Sequence, residues 1–526
     1  MARILVSDSL AEEALEALRK SAEVDVKTGL SPQELVSIIG DYDALLIRSA
    51  TQVTAEVIEA GKNLQVIGRA GVGVDNVDVK AATARGILVI NSPEGNTISA
   101  AEHTMALLLA AARRLPWAHA SMERGEWDRK TFTGHELYNK TLGVVGFGRI
   151  GREVASRAAS FKMKVLAHDP FVSDEMIAST GATSAEIDQL VAQADFITVH
   201  VPKVPETENL FNAERLAKMK KGAFLINCAR GGIVDEAALV EVVNSGQLGG
   251  AALDVFESEP PAKDSPVRST DRLVTTPHLA ASTEEAQLRV ATDVAEQVVE
   301  VLAGGPPRSA VNISYVPPKV LAFLKPYLNL AEKMGVFLAC TAGGKLRRVQ
   351  VVYRGRLADS QVSFLTTAAL KGILAAGSPE TVNFVNAKLV AQERGVDVTE
   401  SKGGALSAYS SVIEMTVETD RAKRCCVGAV FEDDQPRVVS IDGLRLSVIL
   451  EGHKLITWQN DQPGVIGRVG TVLGREDINV AEMQVGRAEA RTRAVMVMSV
   501  DEKPTAAVLE EVRRLEGIED AKLVTL

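Results

Sequence analysis

The sequence predicts an α/β chain. A doubly wound parallel sheet is set into a smaller β/α unit, and a mixed α+β segment and a compact βαββαβ module follow. Three observations predict this. Thr141 to Asp169 reads strand, glycine turn, helix, strand, acidic residue. Apolar, β-branched runs alternate with helical patterns as far as residue 302, and each run ends in a polar loop. Residues 453–526 place two helical patterns between four strand patterns.

The bulk composition agrees. A chain of 526 residues, 46% hydrophobic and 24% charged, has room for three or four ordinary globular domains. Its net charge of −10 argues against a broad nucleic-acid surface. No apolar run reaches the ~18 residues that a membrane span needs. The N-terminus, MARILVSDSL, reads as a first strand and not as a signal peptide. Cys228, Cys340, Cys425 and Cys426 have neither metal nor disulfide spacing, so no metal and a reduced, cytoplasmic compartment are expected.

Taken in order, Arg3 to Ser7 is a strand and Ala11 to Lys20 an amphipathic helix. Ser31, Pro32 and Glu34 mark a helix start. Ala44 to Ile47 is a strand ending at Arg48. Val66-Ile67 leads into GRAGVGVDNVD, and Leu88 to Asn91 is the next strand. Asn96 to Arg113 is helical, capped by Thr97 or Ser99. Its nearly all-round apolar surface marks it as buried between domains or subunits, with His103 a core or interface residue.

The strand Leu142 to Val145 then meets Gly146, Gly148 and Gly151. The first glycine permits a tight turn and the second lets backbone N–H groups approach a diphosphate. The third lets the helix lie against the strand. Asp169 ends the next strand. Its carboxylate can accept from ribose hydroxyls and would repel a 2′-phosphate, so NAD is favoured over NADP. Later strands end in VPKVPETENL, CARGG, FESEPP and TPHLAAS, with Asp235 as the N-cap of one intervening helix. Glu284 to Leu302 is a long helix closed by Gly304-Gly305-Pro306-Pro307, and it returns the chain to the first unit through residues 308–313. Pro317-Pro318 marks a boundary. The expected domains are 1–95 with 290–313, 96–289, 314–452 and 453–526.

Arg230, Glu259 and His278 stand on successive loops at the sheet edge. Oxidising a 2-hydroxy acid needs a base, a cation for the carboxylate and a hydride acceptor. His278 can take the hydroxyl proton, Glu259 can fix its tautomer, Arg230 can grip the carboxylate, and NAD can take the hydride. Spacing alone leaves open that each residue caps its own loop.

GFGRIG with Asp169, NCARGGIVDE, ALDVFESEPP and TPHLAAST, in this order over residues 1 to about 313, resemble the signature blocks of the D-isomer-specific 2-hydroxyacid dehydrogenases. The resemblance implies a Rossmann-type nucleotide domain inserted in a flavodoxin-like substrate domain, with Arg230, Glu259 and His278 catalytic. Cofactor contacts are then implied at Gly146, Gly148, Arg149, Ile150, Gly151, Asp169, Val201, Pro202, Cys228, Ala229, Arg230, Asp254, His278 and Ala281. The rest of the chain resembles long-type members acting on 3-phospho-D-glycerate, with an α+β intervening domain and a ferredoxin-like ACT domain. In them Arg48 and Arg69 would meet a phosphate, and the amides of Gly71, Val72 and Gly73 a carboxylate. Arg129 and Lys130 would reach a neighbouring subunit's site in a dimer or tetramer. Asp461 and Asn479 would hold L-serine as effector, although Gln459 stands where some short-type relatives have histidine. The implied reaction is oxidation of 3-phospho-D-glycerate to 3-phosphohydroxypyruvate with NAD, opening serine synthesis. A dehydrogenase for another 2-hydroxy acid, or a NAD-sensing scaffold without turnover, stays open at this point.

Overall fold

The computed structural model describes residues 1–305, 307–314, 316–376, 382–404, 409–431 and 435–526. Pro306 of the Gly-Gly-Pro-Pro run lies outside the described residues. The strands are Arg3–Val6 (β1), Glu23–Val26 (β2), Ala44–Ile47 (β3), Val66–Arg69 (β4) and Leu88–Asn91 (β5), then Thr141–Val145 (β6), Lys164–His168 (β7), Thr183–Ser184 (β8), Phe196–Val199 (β9), Phe224–Asn227 (β10), Gly250–Leu253 (β11) and Leu273–Thr275 (β12). The first five form a parallel sheet in the order β2-β1-β3-β4-β5. The other seven form a second parallel sheet, β12-β11-β10-β9-β6-β7-β8. Its order reverses beside β6, and ligands bind such sheets at the strand ends next to that point.

Two helices cross between these sheets. Thr97–Arg113 packs on the second sheet, where Ala101, Leu108 and Ala112 share a core with Phe147, Val154 and Ile226. Neither Thr97 nor Ser99 caps it. Asn96 is the N-cap residue, without a side-chain bond, and Ser99 Oγ instead lies 2.5 Å from Thr283 Oγ1. A tertiary partner outcompetes the local cap. The return helix, Glu284–Leu302, is capped by Thr283, and Ala291, Val294, Ala295 and Val298 pack on the first sheet. Ala310 then pairs with Ile90, and Val311 N–H donates to Val89 O at 2.8 Å. The second sheet is thus an insertion in the unit built on the first. The Ser31–Glu34 capping box and the Asp235 cap are present.

A mixed sheet follows: Leu346–Gly355 (β13), Asp397–Gly403 (β14), Ser411–Thr419 (β15), Lys423–Val430 (β16), Pro436–Ile441 (β17) and Leu444–Val448 (β18), in the order β14-β13-β15-β16-β17-β18. Helices Pro318–Ala342 and Ser363–Ala375 pack together at two glycines. A Cβ on Gly335 would stand 2.4 Å from Ala369 O, and one on Gly372 would stand 2.1 Å from Glu332 O. His453–Asn460 (β19), Val480–Arg487 (β20), Arg493–Val500 (β21) and Ile518–Thr525 (β22) close the chain as an antiparallel sheet, β20-β21-β19-β22. With helices Val465–Arg475 and Ala506–Arg513 this is the ferredoxin-like order read from the sequence. Among the described residues, no helix is long and apolar enough to cross a membrane, and no His/Cys/Asp/Glu group could hold a metal ion. All four cysteines are free.

Candidate active site

The glycine turn leaves β6, and Gly146 and Gly151 are each required for a separate reason. Gly146 has φ +93°, and a Cβ on it would lie 2.7 Å from the His200 carbonyl carbon. A Cβ on Gly151 would lie 2.1 Å from Gly146 O, so any larger residue would push the helix off the strand. Gly148 precedes the first turn of helix Arg149–Ser160 and has nothing within 4 Å of its Cβ position. Free backbone N–H groups at a helix N-terminus, facing open space, suit a diphosphate. Asp169 follows β7. It accepts from Phe147 N–H at 2.8 Å and Phe171 N–H at 2.9 Å, which ties the acid to the turn. These residues fit a dinucleotide. Val201, Ala229 and Ala281 are half-buried and Pro202 is exposed on neighbouring loops. Ile150 is half-buried against the core behind the turn. Cys228 is buried, and its thiol is pushed up to about 12 by burial, so it is an inert wall and not a nucleophile.

His278 and Glu259 come together. His278 Nδ1 lies 2.7 Å from Glu259 Oε2. The carboxylate can only accept, so Nδ1 carries the hydrogen and Nε2 is left for another partner. The bond to Glu259 raises the His278 pKa against the opposing effect of burial and the nearby Arg230. Burial raises the Glu259 pKa, but the His278 and Phe256 bonds outweigh it and hold the carboxyl below its ordinary value. His278 has φ +55°, a conformation that costs a non-glycine residue free energy. The loop holds it there through bonds from His278 N–H to Asp254 O and Thr276 O, at 2.9 and 3.0 Å.

Asp254, expected among the coenzyme contacts, is instead fully buried beneath that loop. It accepts from Thr276 Oγ1 (2.6 Å), Leu279 N–H (2.8 Å), Ala280 N–H (2.9 Å) and His103 Nε2 (3.1 Å). His103 is therefore neither a ligand nor a plain core residue. It is a brace, joining the crossing helix to the acid that shapes the His278 loop. Spacing gave no sign of this, because the two residues are 151 positions apart.

The third member, Arg230, turns toward the first sheet. A Cβ on Gly73 would stand only 2.3 Å from Arg230 Nη2, so the glycine keeps a floor open beside the guanidinium. Arg69, at the end of β4, is half-buried and its Nε has no hydrogen-bond partner among the described residues. Burial depresses its pKa and so do the charges of Arg230 and Arg48, with Asp75 and Asp8 opposing. The Arg69 and Arg230 guanidiniums thus both border the loop Gly71–Val72–Gly73. Arg48 also reaches Ser9 O at 3.4 Å, and its own N–H donates to Asp8 at 2.6 Å.

Comparison with known proteins decides what this geometry belongs to. The chain is 48% identical to a D-3-phosphoglycerate dehydrogenase of Synechocystis sp., over 100% of this chain and 95% of that one. It is 47% identical to the enzyme of that name from Archaeoglobus fulgidus, over the whole of both chains. The chain belongs to the D-3-phosphoglycerate dehydrogenase family. Residues 105–280 match the NAD binding domain of the D-isomer specific 2-hydroxyacid dehydrogenases. Residues 323–442 match the D-3-phosphoglycerate dehydrogenase intervening domain, and 453–517 the ACT domain. A crystal structure of a Thermus thermophilus protein, 38% identical, superposes with a TM-score of 0.55 over 59% of this chain and 99% of that one.

Other residues expected in the sites of a D-3-phosphoglycerate dehydrogenase do not meet within one chain. Arg129 and Lys130 are exposed on the segment after helix Leu115–Glu123, beside Trp127, which is 78% exposed. Asp461 and Asn479 lie at opposite ends of the ACT sheet. Asp461 follows β19 level with Arg493, whereas Asn479 precedes β20 level with His453. Nor is the Asp461 carboxylate free, because it accepts from Arg487 at 2.8 Å and from Arg491 N–H at 3.0 Å. Asn479 Nδ2 donates to Asp501 at 2.7 Å. Gln459 is buried, with Oε1 taken by Thr457.

Proposed function

We propose that this chain oxidises 3-phospho-D-glycerate to 3-phosphohydroxypyruvate with NAD, the step that opens L-serine synthesis. The observation that carries the reading is the His278–Glu259 pair, 2.7 Å apart, with Arg230 and Arg69 both bordering the loop Gly71–Val72–Gly73. His278 Nε2 takes the hydroxyl proton as the C2–O bond becomes a carbonyl. Glu259 stabilises the imidazolium that results. Arg230, with the amides of Gly71, Val72 and Gly73, holds the substrate carboxylate, and Arg48 and Arg69 hold the phosphate. NAD, when bound, supplies the acceptor for the C2 hydride. Gly146, Gly148, Arg149, Ile150 and Gly151 would hold its diphosphate and Asp169 its ribose. Val201, Pro202, Cys228, Ala229 and Ala281 would line its path toward His278. Asp254 acts behind the loop.

The working units are 1–95 with 290–313 for substrate, 96–289 for NAD, 314–452 as intervening domain and 453–526 as ACT domain. A cytoplasmic homo-oligomer fits the free cysteines and the exposed Trp127, with Arg129 and Lys130 serving a neighbouring site. L-serine would act between two ACT domains. β20 is an edge strand, so antiparallel pairing of two copies would bring a second copy's Asn479 from roughly 25 Å away to the side of Asp461. Serine's ammonium would then compete with Arg487 for the carboxylate. The test is the initial rate of NADH formation from 3-phosphoglycerate, with and without L-serine. Turnover that falls as serine is added supports the reading. Absent turnover defeats it, and turnover indifferent to serine defeats its regulatory half.

A further inference from the structure

Two ion pairs cross the cleft, and both engage arginines assigned to ligand anions. Asp75, on the loop after Gly73, lies 3.1 Å from Arg230 Nε. Glu94, in the segment joining β5 to the crossing helix, lies 3.0 Å from Arg149 Nη2. In each case the acid belongs to the first-sheet side and the arginine to the second. The placement is specific to the ligand each arginine would meet. Asp75 stands where a substrate carboxylate would approach Arg230, and its charge also eases the crowding of Arg69 by Arg230 and Arg48. Glu94 stands beside the turn that would hold the diphosphate. Neither acid caps a helix. Both are largely exposed, at 74% and 75% of the side chain, so neither is committed to packing.

We propose that Asp75 and Glu94 are carboxylate placeholders. They neutralise Arg230 and Arg149 while the cleft is empty and are displaced by the substrate carboxylate and the coenzyme diphosphate. The exchange keeps an anion on each guanidinium throughout and offsets the like charges of Arg230 and Arg69 while the cleft is empty. It rests on the reading that Arg230 meets the substrate and Arg149 the coenzyme. A residue that merely oriented its arginine would behave in the opposite way, because its loss would weaken ligand binding.

The experiment uses the full chain with Asp75→Asn and Glu94→Gln. Exposed pairs are worth up to about 1 kcal/mol, which corresponds to about fivefold in affinity. Asp75→Asn is expected to lower KM for 3-phosphoglycerate about fivefold and leave the Kd for NADH unchanged. Glu94→Gln is expected to lower the NADH Kd about threefold, read by nucleotide fluorescence, and leave the KM for 3-phosphoglycerate unchanged. Calorimetric titration of 3-phosphoglycerate onto the NADH-loaded chain reads the Asp75 effect without turnover, so failure of the parent reaction and failure of the exchange are separable. Unchanged or weakened binding in the matching variant, or tightening of both ligands by both variants, overturns the proposal.

Discussion

The two parallel sheets meet through ion pairs with exposed carboxylates, whereas the mixed sheet and the ACT sheet share a buried apolar core. In the front half Arg149 meets Glu94, Arg230 meets Asp75, and Arg289 Nε donates to Gly95 O at 3.1 Å. Each sheet keeps its own cores. In the back half one core runs from Leu330, Phe337 and Tyr353 through to Ile456, Trp458, Val495 and Val524 of the ACT sheet. Trp458 Nε1 also donates to Asp442 at 2.9 Å, and the Arg424 guanidinium lies 3.9 Å from the centre of the indole ring while pairing with Asp442 at 3.1 Å. An exposed ion pair is worth up to about 1 kcal/mol, and a buried Val, Leu or Phe about 1.5–3 kcal/mol. The seam of the front half is therefore the weaker of the two. In the back half, helix Pro318–Ala342 shares the core that backs the ACT sheet.

The sharpest test of the front half is His278→Ala. Loss of the proton acceptor is expected to lower kcat by about 10²–10⁴-fold with the NADH Kd unchanged. A fall of less than tenfold would place the base elsewhere. Trp458→Ala tests the back half, and should destabilise it by about 3–5 kcal/mol in chemical denaturation. If the two halves are energetically independent, NADH binding survives this change while any serine response is lost. Loss of both together would break the comparison. Arg48→Ala is the milder probe. It should raise KM for 3-phosphoglycerate about tenfold and leave a non-phosphorylated 2-hydroxy acid unaffected, and full retention of activity would remove the phosphate argument.

The sequence made the front half readable because its constraints are local. Of three glycines within six residues, Gly146 and Gly151 each answer to a separate clash and Gly148 faces open space, and Arg230, Glu259 and His278 each follow a strand that periodicity identifies. What escaped was tertiary. Ser99 reads as a cap because the serine hydroxyl suits one, and only the folded chain offers it Thr283. Asp254 enters as a coenzyme contact only through the resemblance, and its four donors are visible only in the folded chain, while Asp75 and Glu94 are acids on loops with no periodic signal. In the back half the shared core did leave a trace. Leu455, Ile456 and Trp458 form an apolar run that is buried on both faces of β19, longer than a sheet with one wet face requires. Alternating apolar and polar residues would have indicated an open face.

The central claim is that Glu259 tunes His278 to accept the substrate proton, and the pH profile of kcat/KM for 3-phosphoglycerate oxidation tests it most directly. The Glu259 bond raises the His278 pKa, so the unprotonated base appears only above the ordinary histidine range near 6.5. The rate should rise with pH through that elevated value. In Glu259→Gln the rising limb should move to lower pH while the plateau drops. A limb that stays at the same pH in both proteins would contradict the account.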